Sequence, residues 1–155
     1  MRRMVVTVAV VAVAAALIGC GGGNTPKATY EKMWKAAEAG HRELCLSYFT
    51  KDSQANIVEL EQMAGELTGE ANVIGKIMAR AKTSVLEFGE QKISGDTATL
   101  LVTIDGETKP TRFVREDGTW KIDAEIDMEK MRKGAKFLKG LKGLKDALDK
   151  RKKGK

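Results

Sequence analysis

Apolar residues recur at helical spacing through the first half of the chain. Thr25 and Pro26 suit the N-cap and first turn of a helix, and Gly40 suits its end. A second, shorter helix is predicted from about His41 to Phe49. The residues expected to face the core on these two helices are Tyr30, Met33, Trp34, Ala37, Leu44, Cys45, Tyr48 and Phe49.

The segment from Asn56 to about Thr83 continues the helical pattern. Its apolar residues are again three and four positions apart. Internal glycines weaken this pattern, because glycine loses more backbone freedom in a helix than other residues do. We therefore predict two helical pieces that join near Gly69.

Beyond Ser84 the apolar period changes from helical to two, which is typical of half-buried strands. Asp-Gly and Ser-Gly-Asp turn signals stand between the alternating runs, so consecutive strands are predicted to pair as antiparallel hairpins. Pro110 predicts an exposed or irregular start for the third strand, because proline has no N–H to donate. The predicted strands are Val85 to Ile93, Thr97 to Ile104, Thr108 to Arg115 and Thr119 to Ile126.

Helices followed by a meander predict an α+β domain, with the N-terminal helices packed on a curved four-stranded antiparallel sheet. The length allows one core. Three stretches carry a family resemblance: the helical stretch Thr29 to Phe49, the run Ile93-Ser94-Gly95-Asp96-Thr97-Ala98-Thr99-Leu100 and the run Arg115-Glu116-Asp117-Gly118-Thr119-Trp120-Lys121-Ile122. On these stretches, residues 28–126 resemble the nuclear transport factor 2-like (cystatin-like) superfamily, specifically short bacterial lipoproteins whose domain has no assigned function.

This resemblance implies a cone, in which the helices close over a bent sheet around a pocket that can hold a small apolar molecule. Enzymes of the superfamily use a pocket acid or histidine beside a tyrosine or a second acid, and no such pair is recognised in this sequence. His41 is the only histidine, which excludes a histidine metal cluster. We expect no enzyme activity, metal or cofactor. The candidate pocket residues are Tyr30, Trp34, Tyr48 and Trp120.

The N-terminus has the layout of a secretory signal. Arg2 and Arg3 precede an uncharged apolar run from Met4 to Gly19, which is short for a membrane span. The box Leu17-Ile18-Gly19-Cys20 resembles the lipobox of bacterial lipoproteins. The alternative is an ordinary signal with a chance cysteine.

The lipobox resemblance implies removal of residues 1–19 and lipid on Cys20, with residues 20–27 as the lipidated cysteine and a flexible spacer. Two or more acyl chains anchor stably, so the expected location is the cell membrane or outer membrane, on the periplasmic or extracellular face. Cys45 then has no cysteine partner. Its apolar neighbours predict a small buried hydrophobe rather than a reactive thiol. The acidic residues expected on solvated faces include Glu59, Glu61, Glu66, Asp123 and Glu125.

Charge is divided unevenly along the chain. Residues 129–155 contain twelve basic and three acidic residues, a net charge of about +9, whereas residues 20–128 carry about −5. Leucines recur at spacings of three and four residues, with lysines between them. This pattern predicts a basic amphipathic helix over residues 127–155. The residues considered for surface contact are Lys136, Lys139, Lys142 and Lys145.

Three roles for this helix remain open from the sequence. It can lie on an anionic membrane surface or contact another envelope component. Alternatively, its leucine stripe packs on the acidic domain or in a partner's groove. Nucleic acid is the least favoured partner, because the protein is expected to be exported.

The functional hypothesis is a lipid-anchored, non-enzymatic binding or scaffolding module of the cell envelope. Its lipid on Cys20 would hold it at a membrane, and its C-terminal helix would contact the membrane surface or an envelope protein. The alternative is a small-ligand carrier or an enzyme that uses the cone pocket. Oligomeric state is left open.

Overall fold

The computed structural model describes residues 24–68 and 72–153. Within them, helices pack on a four-stranded antiparallel sheet of order β1-β2-β3-β4, which confirms the predicted α+β class and meander. The predicted signal (residues 1–19), Cys20 and Gly69 lie outside the described residues. The elements are α1 (Pro26–Glu38), α2 (Arg42–Ser47), α3 (Lys51–Thr68), α4 (Val73–Ala81), β1 (Leu86–Ser94), β2 (Thr97–Ile104), β3 (Glu107–Glu116), β4 (Thr119–Asp123) and α5 (Met128–Lys153).

Helix α1 begins where its capping residues predict. The Thr25 hydroxyl oxygen accepts the N–H of Ala28 at 3.1 Å, and Pro26 lies in the first turn, where a missing N–H costs nothing. Gly40 follows the helix with a φ of 76°, a left-handed conformation that ends helices and favours glycine. The side of α1 that packs on the sheet contributes Tyr30, Met33, Trp34 and Ala37 to the core.

Helix α2 differs from its prediction in which leucine it buries. Cys45 is fully buried, as predicted, and Leu46 is buried beside it. Leu44 was expected in the core, and this prediction is wrong, because 48% of its surface is exposed. The helix has only six residues and packs against α1 and α4, so Leu44 lies on a side that none of the described elements covers.

Helix α3 begins at Lys51, five residues before the predicted Asn56. The Thr50 hydroxyl oxygen accepts the Ser53 N–H at 3.1 Å, and this cap starts the helix early. The predicted division of the following segment into two helices is confirmed, since α3 ends at Thr68 and α4 begins after Asn72, whose side chain accepts the Gly75 N–H.

The hairpins of the sheet are made by the turns that the sequence predicts. In the β2–β3 turn, Asp105 and Gly106 have φ angles of 54° and 82°, and the corresponding angles at Asp117 and Gly118 are 50° and 77°. Positive φ at both central residues is the type I′ arrangement, whose twist matches that of the two strands. Tight two-residue turns therefore connect β2 to β3 and β3 to β4.

Strand β4 ends at Asp123, whereas the alternating pattern predicted a strand as far as Ile126. The Ser53 hydroxyl oxygen accepts the Ala124 N–H at 2.9 Å, so a bond to α3 replaces the sheet ladder there. Phe49 pairs with Ile122 in a parallel bridge on the outer edge of β4. The chain thus leaves the sheet after Asp123, and Phe49 partly covers the outer edge of β4.

Pro110 lies in the part of β3 that extends past the end of β4. The last β3–β4 pair joins Arg112 to Asp123, so residues 107–111 pair with β2 alone. Pro110 is exposed there, as predicted for a residue that lacks an N–H. Because β4 stops level with Arg112 of β3, an opening remains at this end of the sheet.

In the described residues, one hydrophobic core lies between the helices and the sheet. Phe113 is at its centre, fully buried on β3, with Ala98 beside it on β2 and Ile122 beside it on β4. Other buried members are Tyr30, Met33, Trp34, Ala37, Cys45, Leu46, Phe49, Ile57, Ile74, Leu100, Val102 and Trp120.

Candidate functional site

A pocket of about 350 Å³ opens at the end of the sheet where β4 stops. Its size falls within the range of small-molecule sites, which are mostly apolar with a few polar groups. Helix α1 forms one wall and α4 contributes Ile77. The remaining apolar lining comes from Phe49, Ile104, Pro110, Ile122 and Ala124.

Aromatic side chains of α1 form the inner wall of this pocket. Tyr30 and Trp34 lie one helical turn apart and stack with ring centroids 6.2 Å apart, while Phe88 meets Tyr30 edge-on at 5.9 Å. Burial raises the pKa of Tyr30 to about 12. The hydroxyl is therefore neutral at physiological pH and can donate a hydrogen bond to a ligand, but it is a poor general base.

The mouth of the pocket is polar and carries both signs of charge. Arg112 on β3 contacts Asp123 at 3.3 Å (Nε to Oδ2) and Glu125 at 3.0 Å (Nη1 to Oε1). Arg80 of α4 also lines the pocket, with its guanidinium 3.8 Å from Glu107. These groups can bind a polar or anionic end of a molecule whose apolar body lies against α1.

The structure brings together only two of the four candidate pocket residues. Tyr30 and Trp34 line the pocket. Trp120 is buried at the opposite end of β4, with the Arg115 guanidinium 4.7 Å above its ring. Tyr48 packs half-buried against the core outside the pocket.

Sequence reasoning missed the charged mouth of the pocket. Asp123 and Glu125 were expected to be solvated residues of a longer strand. Because β4 ends at Asp123, both side chains line the opening and pair with Arg112. Asp123 is only 26% exposed, whereas Glu125 is 69% exposed and is solvated as expected. Only the position of Pro110, which predicted an irregular edge at this end of β3, indicated where the opening would lie.

The groups usually considered for nucleophilic or metal chemistry lie outside this pocket. Cys45 is fully buried, and burial raises the pKa of its thiol. His41 is exposed before the first turn of α2. Within the part of the chain that the structure describes, no three acidic, histidine or cysteine side chains are grouped to hold a metal ion.

Glu61 is a further correction to the sequence-based expectation of a solvated carboxylate. Its side chain is only 12% exposed and forms an ion pair with the Arg42 guanidinium. Its other oxygen accepts the N–H of Ile74 at 3.1 Å, in the first turn of α4. Glu61 therefore joins α2, α3 and α4, and it supports the helix that carries two pocket residues.

Helix α5 packs alongside α3 through ion pairs. Arg132 contacts Glu59 at 2.6 Å (Nε to Oε1), and Lys139 pairs with Glu66 two turns further along each helix. Hydrogen bonds from these two basic side chains lower the pKa of each carboxyl. The shared spacing means that α3 and α5 run in the same direction.

The lysines considered for surface contact are distributed around α5. Lys139 takes part in the contact with α3, whereas Lys136 and Lys142 are exposed and form no ion pair within the described residues. The side chain of Lys145 lies outside what the structure describes. None of the helices in residues 24–68 and 72–153 combines the length and hydrophobicity needed to cross a bilayer.

Comparison of the chain with models of protein families, with curated proteins and with solved structures found no match.

Proposed function

We propose that this protein is an exported, lipid-anchored binding module of the cell envelope, with no enzymatic activity. Its domain would be of the nuclear transport factor 2-like kind, and the pocket at the end of the sheet would hold a small molecule. Lipid on Cys20 would fix the domain to a membrane through the short glycine spacer.

The pocket is the observation that carries the binding part of this proposal. Its volume of about 350 Å³, its aromatic wall and its charged mouth suit a molecule with an apolar body and one polar end. The acids at the mouth are both paired with Arg112, and burial raises the pKa of Tyr30 still further above neutral pH. This arrangement supports retention of a ligand better than proton transfer.

Binding of anilinonaphthalene sulfonate tests the pocket, because this probe combines an apolar ring system with an anion. The substitution Ala124→Phe places a ring in the pocket lining and is expected to weaken binding about tenfold or more. Ala39→Phe makes the same change at an exposed site after α1 and is the matched control. Fluorescence titration measures both affinities. Equal affinities for the two variants would contradict the assignment of the pocket.

Labelling with radioactive palmitate in a bacterial host tests the anchor. The full-length chain is expected to incorporate the label, and Cys20→Ser is expected to abolish incorporation, because a thioether to lipid requires the cysteine sulfur. Cys45→Ala is the control, since Cys45 is buried in the domain core and should not affect labelling. Label that persists in Cys20→Ser would rule out lipid attachment at this residue.

A further inference from the structure

The face of α5 that packs on the domain is the polar one. Arg132, Ala135 and Lys139 fall on one side of the helix, and the ion pairs to Glu59 and Glu66 lie there. Of the α5 residues in this contact region, Met128 is buried and Ala135 is half-buried. The helix is therefore held to α3 mainly by charge.

Three large apolar residues of α5 point away from the domain. Phe137, Leu141 and Leu144 lie on the side roughly opposite to Arg132 and Lys139, given 3.6 residues per turn. Their side chains are 66%, 48% and 60% exposed. The alternative in which the leucine stripe packs on the acidic domain is therefore not met at Leu138, Leu141 and Leu144, and the side chain of Leu148 lies outside what the structure describes. Phe137, Leu141 and Leu144 form what we call the outer apolar face.

Positive charge flanks the outer apolar face. At about 100° per residue, Lys133 borders this face, whereas the exposed Lys136 and Lys142 lie further round on its two flanks, towards the side that packs on α3. Residues 129–155 carry a net charge of about +9, and acidic side chains are few among them. A contiguous apolar strip rimmed by lysines marks a surface that binds a partner with an apolar interior and an anionic boundary.

We propose that the outer apolar face of α5 binds the surface of an anionic phospholipid bilayer. Phe137 and the leucines would enter the acyl boundary while the lysines contact lipid phosphates, with the helix parallel to the membrane plane. A second copy of the chain fits less well, because pairing two such faces would bring lysines of equal charge together. The inference is independent of the pocket and requires no lipid on Cys20.

Vesicle binding by the chain from residue 21 onward tests the proposal without the N-terminal signal. This chain contains every helix, strand and core residue that the structure describes. We expect it to sediment with vesicles made of equal parts phosphatidylcholine and phosphatidylglycerol, and not with phosphatidylcholine alone. Added salt should weaken binding, because it screens the lysines. Failure to bind the anionic vesicles would overturn the proposal.

Removal of the outer apolar face separates lipid insertion from simple attraction of charge. The triple variant Phe137→Gln, Leu141→Gln and Leu144→Gln should bind anionic vesicles at least about tenfold more weakly, since buried apolar area drives insertion. The control variant removes three exposed apolar side chains elsewhere, through Leu44→Gln, Val85→Thr and Ile93→Thr, and should bind like the parent. Equal binding by the two triple variants would overturn the proposal.

Two lysines test the charged part of the surface. Lys136→Gln with Lys142→Gln should weaken vesicle binding about 25-fold, about fivefold for each charge removed. Lys35→Gln with Lys76→Gln makes the same change in net charge on α1 and α4 and should have little effect. An equal loss in both double variants would show that net charge alone attracts the vesicle, and it would contradict a specific surface on α5.

Self-association is measured with the same proteins by sedimentation velocity. We expect the chain to be a monomer and its sedimentation coefficient to stay the same in the Phe137→Gln, Leu141→Gln and Leu144→Gln triple variant. A dimer that dissociates when Phe137, Leu141 and Leu144 are replaced would assign the face to a second copy of the chain and overturn the membrane proposal.

Discussion

Replacement of Phe113 by alanine is expected to lower the free energy of unfolding by about 3–5 kcal/mol. Phe113 is 0% exposed and lies on β3, between the two flanking strands and beneath the helices. Its removal leaves a cavity that neighbouring strands cannot fill without losing their register. A loss of this size is a large part of the stability of a small domain.

Urea unfolding followed by circular dichroism measures this effect, with the midpoint expected to fall and the slope to stay constant. Val114→Ala is the matched control, because Val114 is the next residue of β3, lies on the other face of the sheet and is only half-buried. Its cost should be about 1 kcal/mol. Similar losses for both variants would show that Phe113 is not the centre of the core.

Replacement of Glu61 by alanine is expected to lower the free energy of unfolding by about 2 kcal/mol. It should also weaken ligand binding in the pocket. The change removes the partner of Arg42 and leaves the Ile74 N–H without its acceptor. Arg42 is partly exposed, which keeps the cost below that of a fully buried pair. Because α4 carries Ile77 and Arg80, a loosened α4 should also lower affinity for anilinonaphthalene sulfonate.

Two further variants separate the roles of Glu61. Glu61→Gln keeps an acceptor for the Ile74 N–H but removes the charge. We expect it to lower the free energy of unfolding by about half as much as Glu61→Ala does. Glu43→Gln removes the other carboxylate near Arg42, which is 90% exposed, and should change stability by only a few tenths of a kcal/mol. Equal unfolding midpoints for Glu61→Ala and Glu43→Gln would show that the buried contact contributes nothing.

The sheet was predictable because its signals are local. Alternation of apolar residues locates each strand, and Asp105-Gly106 and Asp117-Gly118 specify turns that only a few residue pairs adopt. The start of α1 was predictable for the same reason, since Thr25 and Pro26 act within one turn. Features that depend on a few neighbouring residues could be inferred from the sequence alone.

Other features depend on contacts between distant segments and could not be predicted. Leu44 is exposed because of the side on which α2 meets α1 and α4, and six residues are too few to show that side by periodicity. The end of β4 depends on the Ser53 hydroxyl, 71 residues earlier in the chain. In the sequence, nothing distinguishes Glu61 from a surface glutamate, because its burial depends on contacts with α2 and α4.

The pocket was predictable only in part. Tyr30 and Trp34 share a face of α1, and that periodicity is visible in the sequence. Trp120 also faces the core, as its strand pattern predicts, but it lies at the end of β4 furthest from the pocket. Which end of a sheet is open depends on where each strand stops, and this is set by contacts with other elements.

The parallel course of α3 and α5 separates the two ends of the described chain. Asn24 donates a hydrogen bond to Gly118 O at 2.8 Å, and α3 starts beside the same turn, with Lys51 near Asp117. Helix α5 leaves in the direction of α3, whose 18 residues span about 27 Å. If a membrane holds both Cys20 and α5, the domain cannot stand upright on its tether. It would lie on its side along the bilayer, with rotation about the tether blocked.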